Sequence, residues 1–480
     1  LVKDFDLDAR LDHYFPKQSE NEPEDLQKKA AKMALSQSFS LITGGPGTGK
    51  TSTVVKIIAL LFERARAADS AVPTIQLLAP TGKAAARVME SVNVAWGQID
   101  MPEQLKSEHL PRAATIHRAL GTLPDNPTRF RRGPEQRLRA DVVIVDEASM
   151  VDVALMRHLL SSLEENAQLL LLGDRFQLAS VEAGSVLAEL CAVFEGVDPS
   201  LKQHLTELRK SYRFAEESGI HALSKAFCEG DSTRALELLA APSRDVRWID
   251  PGLGRAVGDG VTPDQCLHLR RVIVGAFSEA LDYSTLPEVY AAMTQFRVLC
   301  AHRRGRFGAE YLNGLIERWL RAVGKLPSSG EFYRGRPILV TQNDYSVGLH
   351  NGDVGLCWPD GDRIAVYFPK NDGEYRALSP AKLPAHETAF SMTVHKAQGS
   401  EHDEVVLLLP GASSQLLSRE LVYTGVTRAK KRVVVWASPS AITRSVQQKV
   451  HRFTGLGEAL TSNLSATKTP KMPPDGDENV

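Results

Sequence analysis

Four short apolar runs punctuate the first part of the chain: Leu41–Thr43, Ile75–Ala79, Val142–Val145 and Leu169–Leu172. Runs of this length without polar alternation predict strands buried on both faces, as in a parallel sheet. Each gives way to a polar or glycine-containing turn, with helical stretches between them. In such sheets ligands gather beyond the carboxyl ends of the strands. A later set, Arg297–Ala301, Val405–Leu409 and Arg432–Trp436, predicts a second α/β lobe. The stretch Phe332–Pro384 has another texture, rich in Gly, Asp and Asn. Its short alternating strands, Ile338–Thr341, Gly352–Cys357 and Arg363–Phe368, predict a small β-barrel inserted into the second lobe. Gly121–Arg139 carries five arginines around Phe130 and reads as a protruding hairpin or as a solvated basic loop. Beyond Thr461 the composition predicts disorder.

Composition changes this picture little. At 480 residues the chain is too long for one core, so two or more domains are expected. A net charge of −1 gives no global case for nucleic acid, so any DNA path must be a local basic groove. No run is long and apolar enough to span a bilayer and no signal segment opens the chain, so no membrane partner is expected. Five scattered cysteines without a C-x-x-C pair argue against a disulfide scaffold, a zinc site or an iron–sulfur cluster, and fit a reduced, cytoplasmic protein. Because the first residue is Leu1 rather than Met, a missing N-terminal region is expected.

Gly44-Gly-Pro-Gly-Thr-Gly-Lys-Thr51 fits G-x-x-x-x-G-K-[ST] between a predicted strand and a helix with an apolar stripe at Val54, Ile58, Leu61 and Phe62. Its glycines let backbone N–H groups close around phosphates, and the helix N-terminus adds a favourable dipole. ATP is the expected ligand, held by Gly45, Pro46, Gly47, Thr48, Gly49, Lys50, Thr51 and Ser52. Lys50 is expected at the β/γ-phosphates and Thr51 on Mg²⁺. Asp146-Glu147 ends a strand, which suits one carboxylate on the metal (Asp146) and one polarising the attacking water (Glu147). Gln177, in Gly173-Asp-Arg-Phe-Gln177, is positioned to orient water or sense the γ-phosphate, while Asp174 shapes the turn. Charge spread over the γ-oxygens calls for arginines. The candidates, assigned to the second lobe, are Arg213 in Lys210-Ser-Tyr-Arg-Phe214 and Arg428 in Thr424-Gly-Val-Thr-Arg428, each alternatively a surface ion pair.

Taken in order, these segments resemble superfamily 1B DNA helicases, and among them the RecD family. The resemblance runs from Gln27 to about Trp436. Gln27 resembles the adenine-reading glutamine. Leu78–Arg87 and Thr115–Arg118 resemble motifs that touch single-stranded DNA. Gly173–Gly184 is RecD-like, Met392–Glu401 resembles the motif coupling nucleotide to DNA, and Leu421–Arg428 the one supplying an arginine finger. The resemblance implies γ-phosphate roles for Arg213 and Arg428, a nucleotide contact at Gly399, and DNA contacts at Thr81, Lys83, His117, Thr393 and His395. His302, just beyond a strand end, is a further DNA candidate or a structural histidine.

The implied fold is α/β, with two RecA-like P-loop NTPase lobes. Residues 1–25 are expected as a remnant or linker, and 26–205 as lobe 1A with a hairpin insertion (1B) at 121–140. Residues 206–331 and 385–460 form lobe 2A, 332–384 an SH3-like insertion (2B), and 461–480 a disordered tail. The implied function is ATP-dependent 5′ to 3′ DNA unwinding on single strands and duplex junctions. It would operate beside RecB- and RecC-like subunits in a heterotrimer, in break repair and recombination. Two departures stand: too little chain precedes Gln27 for the family's RecC-docking domain, and the helix-hairpin-helix modules of longer relatives are absent. No Asp/Glu/Lys cluster resembles a nuclease site. A stand-alone helicase, and a DNA-dependent ATPase with a mainly structural role, remain alternatives.

Overall fold

The computed structural model describes residues 5–16, 24–108, 110–123, 126–180, 184–196, 201–215, 217–252, 263–344, 346–370, 373–450 and 455–467. In chain order, β1 (Phe39–Gly44), β2 (Ile75–Ala79) and β3 (Ala113–Thr115) precede a hairpin of β4 (Thr122–Leu123) and β5 (Asn126–Phe130). Then follow β6 (Val142–Val145), β7 (Gln168–Gly173) and β8 (Leu205–Leu208). Without the hairpin they form one parallel sheet of order β3-β2-β6-β7-β1-β8. The unbroken apolar runs have a direct cause. Val142, Ile144, Leu170 and Leu172 join one core, with the helices Leu26–Ser36 and Lys50–Ala67, while Val143, Val145, Leu169 and Leu171 join a second, with the helices Val153–Ser161 and Val186–Gly196. Successive strand residues point to opposite faces, so a sheet covered twice needs apolar side chains at every position.

The second half repeats the scheme. β9 (Val246–Ile249) and β10 (Phe296–Cys300) come first, then an insertion of β11 (Pro337–Val340), β12 (Val354–Asp360), β13 (Arg363–Pro369), β14 (Tyr375–Leu378) and β15 (His386–Thr388). β16 (Ser391–Thr393), β17 (His402–Leu408) and β18 (Ala429–Trp436) complete a parallel sheet of order β16-β10-β17-β18-β9. Val405 and Leu407 of β17 face one core, Val406 and Leu408 the other. Truncating one of them, such as Leu407→Ala, is expected to cost about 2–5 kcal/mol.

The insertion is an antiparallel sheet of order β14-β13-β12-β11-β15 around Ile338, Val340, Leu349, Cys357, Val366 and Phe368. Asp360 pairs with Arg363, leaving Gly361 (φ +61°) and Asp362 as a two-residue turn. A left-handed first turn residue suits a tight hairpin, and glycine adopts it without strain.

Several expected boundaries move. The segment expected as a linker at 1–25 contains a helix, Leu7–Tyr14, whose Leu11 and Tyr14 enter the first core; Phe15 follows them, and the Tyr14 hydroxyl donates to Glu63 (2.7 Å). β8 extends the first sheet to Leu208, beyond 205, and β15 carries the insertion past 384. The expected tail begins inside a helix, Leu456–Thr467, which packs through Leu456 and Leu460 on the core beside Val186–Gly196, in the first half rather than the second. Residues 468–480 lie outside the described residues. No described helix is long and apolar enough to cross a membrane.

Candidate nucleotide and DNA site

The loop after β1 turns sharply into the helix Lys50–Ala67. Gly47 (φ +77°) and Gly49 (φ +83°) are left-handed, and a Cβ at Gly47 would collide with the Arg213 side chain. Gly49 caps that helix without a side-chain hydrogen bond, so its first N–H groups carry no side-chain acceptor. That is the standing requirement of an anion site at a helix N-terminus. The Lys50 ammonium donates to the carbonyls of Gly44 (2.6 Å) and Gly45 (3.1 Å), folded back on its own loop. Gln27 braces the loop from the helix Leu26–Ser36, donating through Nε2 to the Thr48 carbonyl (3.0 Å).

Beside it, Asp146 follows β6 and accepts from the Glu147 backbone N–H (2.7 Å). Glu147 is left-handed (φ +52°) without being glycine, a conformation costing about 1–3 kcal/mol and kept only where surroundings enforce it. Burial, and then the neighbouring Glu147, raise the Asp146 carboxyl above its ordinary value, with Lys50 opposing. A half-buried acidic pair of this kind favours a cation.

The loop after β7 is held from both halves. Asp174 accepts from the Phe176 N–H (3.0 Å), from Gln177 Nε2 (3.1 Å) and from the Tyr423 hydroxyl (2.8 Å). The Leu178 N–H donates to Thr424 Oγ1 (2.8 Å), and its carbonyl accepts from Gln398 Nε2 (2.6 Å). Tyr423 and Thr424 lie on the helix Arg419–Val426, so three side chains of the second half grip one loop of the first.

A cavity of about 200 Å³ between the halves is lined by Pro46 through Ser52, Asp146, Glu147, Gln177, Arg213 and Arg428. Gly399 lies outside this lining, near Ala84. Arg428 is buried, its Nε donating to the Thr424 carbonyl and its Nη1 to Ser400 (both 3.2 Å). Arg213 lies between the two sheets: it follows β8 on the connecting segment, where the Tyr212 N–H donates to the Gly47 carbonyl (2.8 Å). Two charged lining residues, Arg87 and Glu401, end motifs read from sequence but carry no role there. Glu401 accepts from Arg213 (2.6 Å) and pairs with Arg87. Burial would raise its carboxyl, but Arg87, then Arg213 and Arg428, outweigh that and bring it to about 2. A separate cavity of about 410 Å³ beside β9, lined by Trp248, Arg244 and Arg432 among others, shares no residue with the motifs.

The DNA candidates gather at other strand ends. Thr81 follows β2 and caps the helix Gly82–Gln98, accepting from the Ala84 N–H (3.2 Å); His117 follows β3, its ring 5.8 Å from Phe130 of the hairpin. β2 and β3 are neighbours, pairing Ala79 with Thr115. In the second sheet, β10 and β16 are neighbours too, pairing Cys300 with Thr393, and His302 and His395 lie just beyond. Burial, and then Arg297, bring the Lys83 ammonium down to about 8; burial lowers His117 and His302. The His302 ring is engaged with Ser414 (3.0 Å), and Thr393 is buried, accepting from the Lys396 N–H (3.3 Å).

The residues present fit a nucleotide and a hard divalent cation. Gln177 Oε1 and Arg213 Nη1 are buried in the cavity lining without a hydrogen-bond partner. Among the described residues no three His, Cys, Asp or Glu side chains could cage a metal alone. A Thr51 hydroxyl and an Asp146 carboxylate form the sparse oxygen set suited to Mg²⁺ that arrives with phosphates. The chain itself is similar to known proteins over most of its length. Residues 27–183 match the AAA domain family, and residues 388–436 the UvrD-like helicase C-terminal domain. The RecBCD enzyme subunit RecD of Mycolicibacterium smegmatis is 42% identical over 90% of this chain and 74% of its own. That of Mycobacterium tuberculosis is 39% identical over 91% and 73%. The ATP-dependent RecD2 DNA helicase of Deinococcus radiodurans is 32% identical over 88% of this chain but half of its own length. The phosphate loop, the acidic strand end and the buried arginine thus sit in a sequence whose likeness extends far beyond any motif, and the chain belongs to the RecD family of RecBCD enzyme subunits.

Proposed function

We propose that this chain is an ATP-dependent DNA helicase that moves 5′ to 3′ along single-stranded DNA, as the RecD-type motor of a heterotrimer with RecB- and RecC-like subunits. The single observation that carries the reading is the cavity lined from both halves, with Lys50, Asp146 and Glu147 on one side and Arg428 on the other. In the reaction, Lys50 leaves the Gly44 and Gly45 carbonyls for the β/γ-phosphates, and Gln27 reads the adenine. Thr51 and Asp146 would hold Mg²⁺, which when bound supplies positive charge against the phosphates. Glu147 polarises the attacking water, Gln177 orients it, and Arg213 and Arg428 meet charge on the γ-oxygens. A γ-phosphate touching both halves favours closure, and its loss after hydrolysis lets them part.

Single-stranded DNA would cross the adjoining strand ends of both sheets, past Thr81, Lys83 and His117, then Thr393, His395 and His302, held through phosphates and stacking rather than base reading. In this reading the first sheet belongs to lobe 1A and the second to lobe 2A, both RecA-like. The β4–β5 hairpin is the 1B pin, and the β11–β15 sheet the SH3-like 2B element. The direction of travel follows the family resemblance. Strand displacement tests the proposal: a 5′-tailed duplex is unwound with ATP, a 3′-tailed duplex is not, and Lys50→Ala unwinds neither. Hydrolysis without displacement, by the chain alone and with its RecB- and RecC-like partners, would instead favour the mainly structural ATPase.

A further inference from the structure

Glu401 lines the nucleotide cavity with no task in the scheme above. It directly precedes β17, and its Oε1 takes both Arg87 Nη2 and Arg213 Nη2, the latter at 2.6 Å. Arg428 donates to the carbonyl of Ser400, the residue before it. Two guanidinium groups therefore share one carboxylate oxygen, with a third held on the adjoining backbone. The geometry is lopsided: Arg213 gives Glu401 one nitrogen while its Nη1 is buried and unpartnered. A planar guanidinium pairs best through two parallel hydrogen bonds, which phosphate oxygens supply and a single carboxylate oxygen does not.

The three residues also come from three parts of the fold. Arg87 belongs to the helix Gly82–Gln98, Arg213 to the segment after β8, and Glu401 to the second sheet. The Arg87–Glu401 pair is therefore a strut between the halves, and the Arg213–Glu401 pair sits where the connecting segment touches the phosphate loop.

Resting on the nucleotide reading above, we infer that Glu401 is a positioning residue that holds the place of the γ-phosphate, gripping Arg213 until a triphosphate takes it over while Arg87 stays tied to the second half. The exchange balances: one ion pair to a carboxylate opens and one to a phosphoryl oxygen forms, with no net charge left unpaired at Arg213. A diphosphate lacks the group that competes for Arg213, so the cost of opening the pair falls on triphosphate binding alone.

The test compares affinities of the intact chain for a non-hydrolysable ATP analogue and for ADP, both with Mg²⁺. Glu401→Gln is expected to tighten the analogue about tenfold, the scale of releasing one charge-assisted hydrogen bond, and to leave ADP within about twofold. Glu401→Asp, which keeps the charge but withdraws it by one methylene, should shift the same ratio less; it serves equally if the Gln variant does not fold. In an Arg213→Gln background, Glu401→Gln should no longer change the ratio. A ratio that stays at the wild-type value in both single variants, or that still moves without Arg213, overturns the placeholder. If the unaltered chain binds neither nucleotide, the nucleotide reading itself falls, a separate result from losing selectivity alone.

Discussion

The first parallel sheet meets the cleft with backbone as well as side chains, the second with side chains. Beyond β1, glycines at positive φ and an uncapped helix start turn N–H groups outward, and the carboxylates of Asp146 and Glu147 sit beyond the end of β6, which β7 separates from β1. Just before β17 and β18 the second sheet brings the carboxylate of Glu401 and the buried guanidinium of Arg428. Both sheets are built alike, with alternate strand residues feeding two cores. The difference lies in what flanks their strands and at which end. A backbone cradle grips any polyphosphate; side chains contributed from across a cleft distinguish how far that polyphosphate extends. Binding belongs mainly to the first sheet and the consequence of binding to the second.

If that division holds, the largest effect comes from the first side. Lys50→Ala should lower DNA-stimulated hydrolysis on the order of 10³-fold, the scale of losing a charge at the transferred group, while circular dichroism stays unchanged. Near-normal turnover would remove the cradle from the account. Glu147→Gln should cost roughly 10²–10³-fold in kcat with triphosphate binding retained, since only base chemistry is lost; a matching loss of affinity would mean the residue binds rather than activates. The seam between the sheets is sharpened by Tyr423→Phe, which strips Asp174 of a buried donor. It should lower stability by about 1–3 kcal/mol in a denaturant titration, and a value near zero would show that this bond does not join the halves. Smallest is Gln27→Ala: a KM for ATP raised several-fold (~1 kcal/mol) and weaker discrimination against GTP at constant kcat, checked by steady-state kinetics. Its bond to Thr48 belongs to the first sheet alone, so an effect on kcat instead would blur the division.

Sequence carried the two sheets because burial on both faces leaves an apolar signature that polar alternation cannot imitate. It carried less of their margins. β8 reads Leu-Thr-Glu-Leu, with two polar residues at its centre and no apolar run, so it looks like connecting chain. β3, β15 and β16 span three residues each, too short for any period to register. The helix Leu7–Tyr14 is short and largely polar and gains its place by docking Leu11 and Tyr14, a tertiary event. The nucleotide site divides the same way. Gly44–Thr51 and Asp146-Glu147 are contiguous, so spacing alone reveals them. Arg87 and Glu401 are far apart along the chain, and their meaning arises only from a contact between halves.

The most direct test of the cleft's central role is Arg428→Lys, with nucleotide affinity and DNA-stimulated hydrolysis measured on one preparation. Lys preserves the charge but not the planar fork that bonds Thr424 and Ser400. The account predicts a triphosphate still bound by the first sheet within a few-fold of its ordinary affinity, and hydrolysis reduced on the order of 10²-fold or more. Hydrolysis at the unaltered rate would contradict it, because the second sheet would then have no part in cleaving what the first one holds.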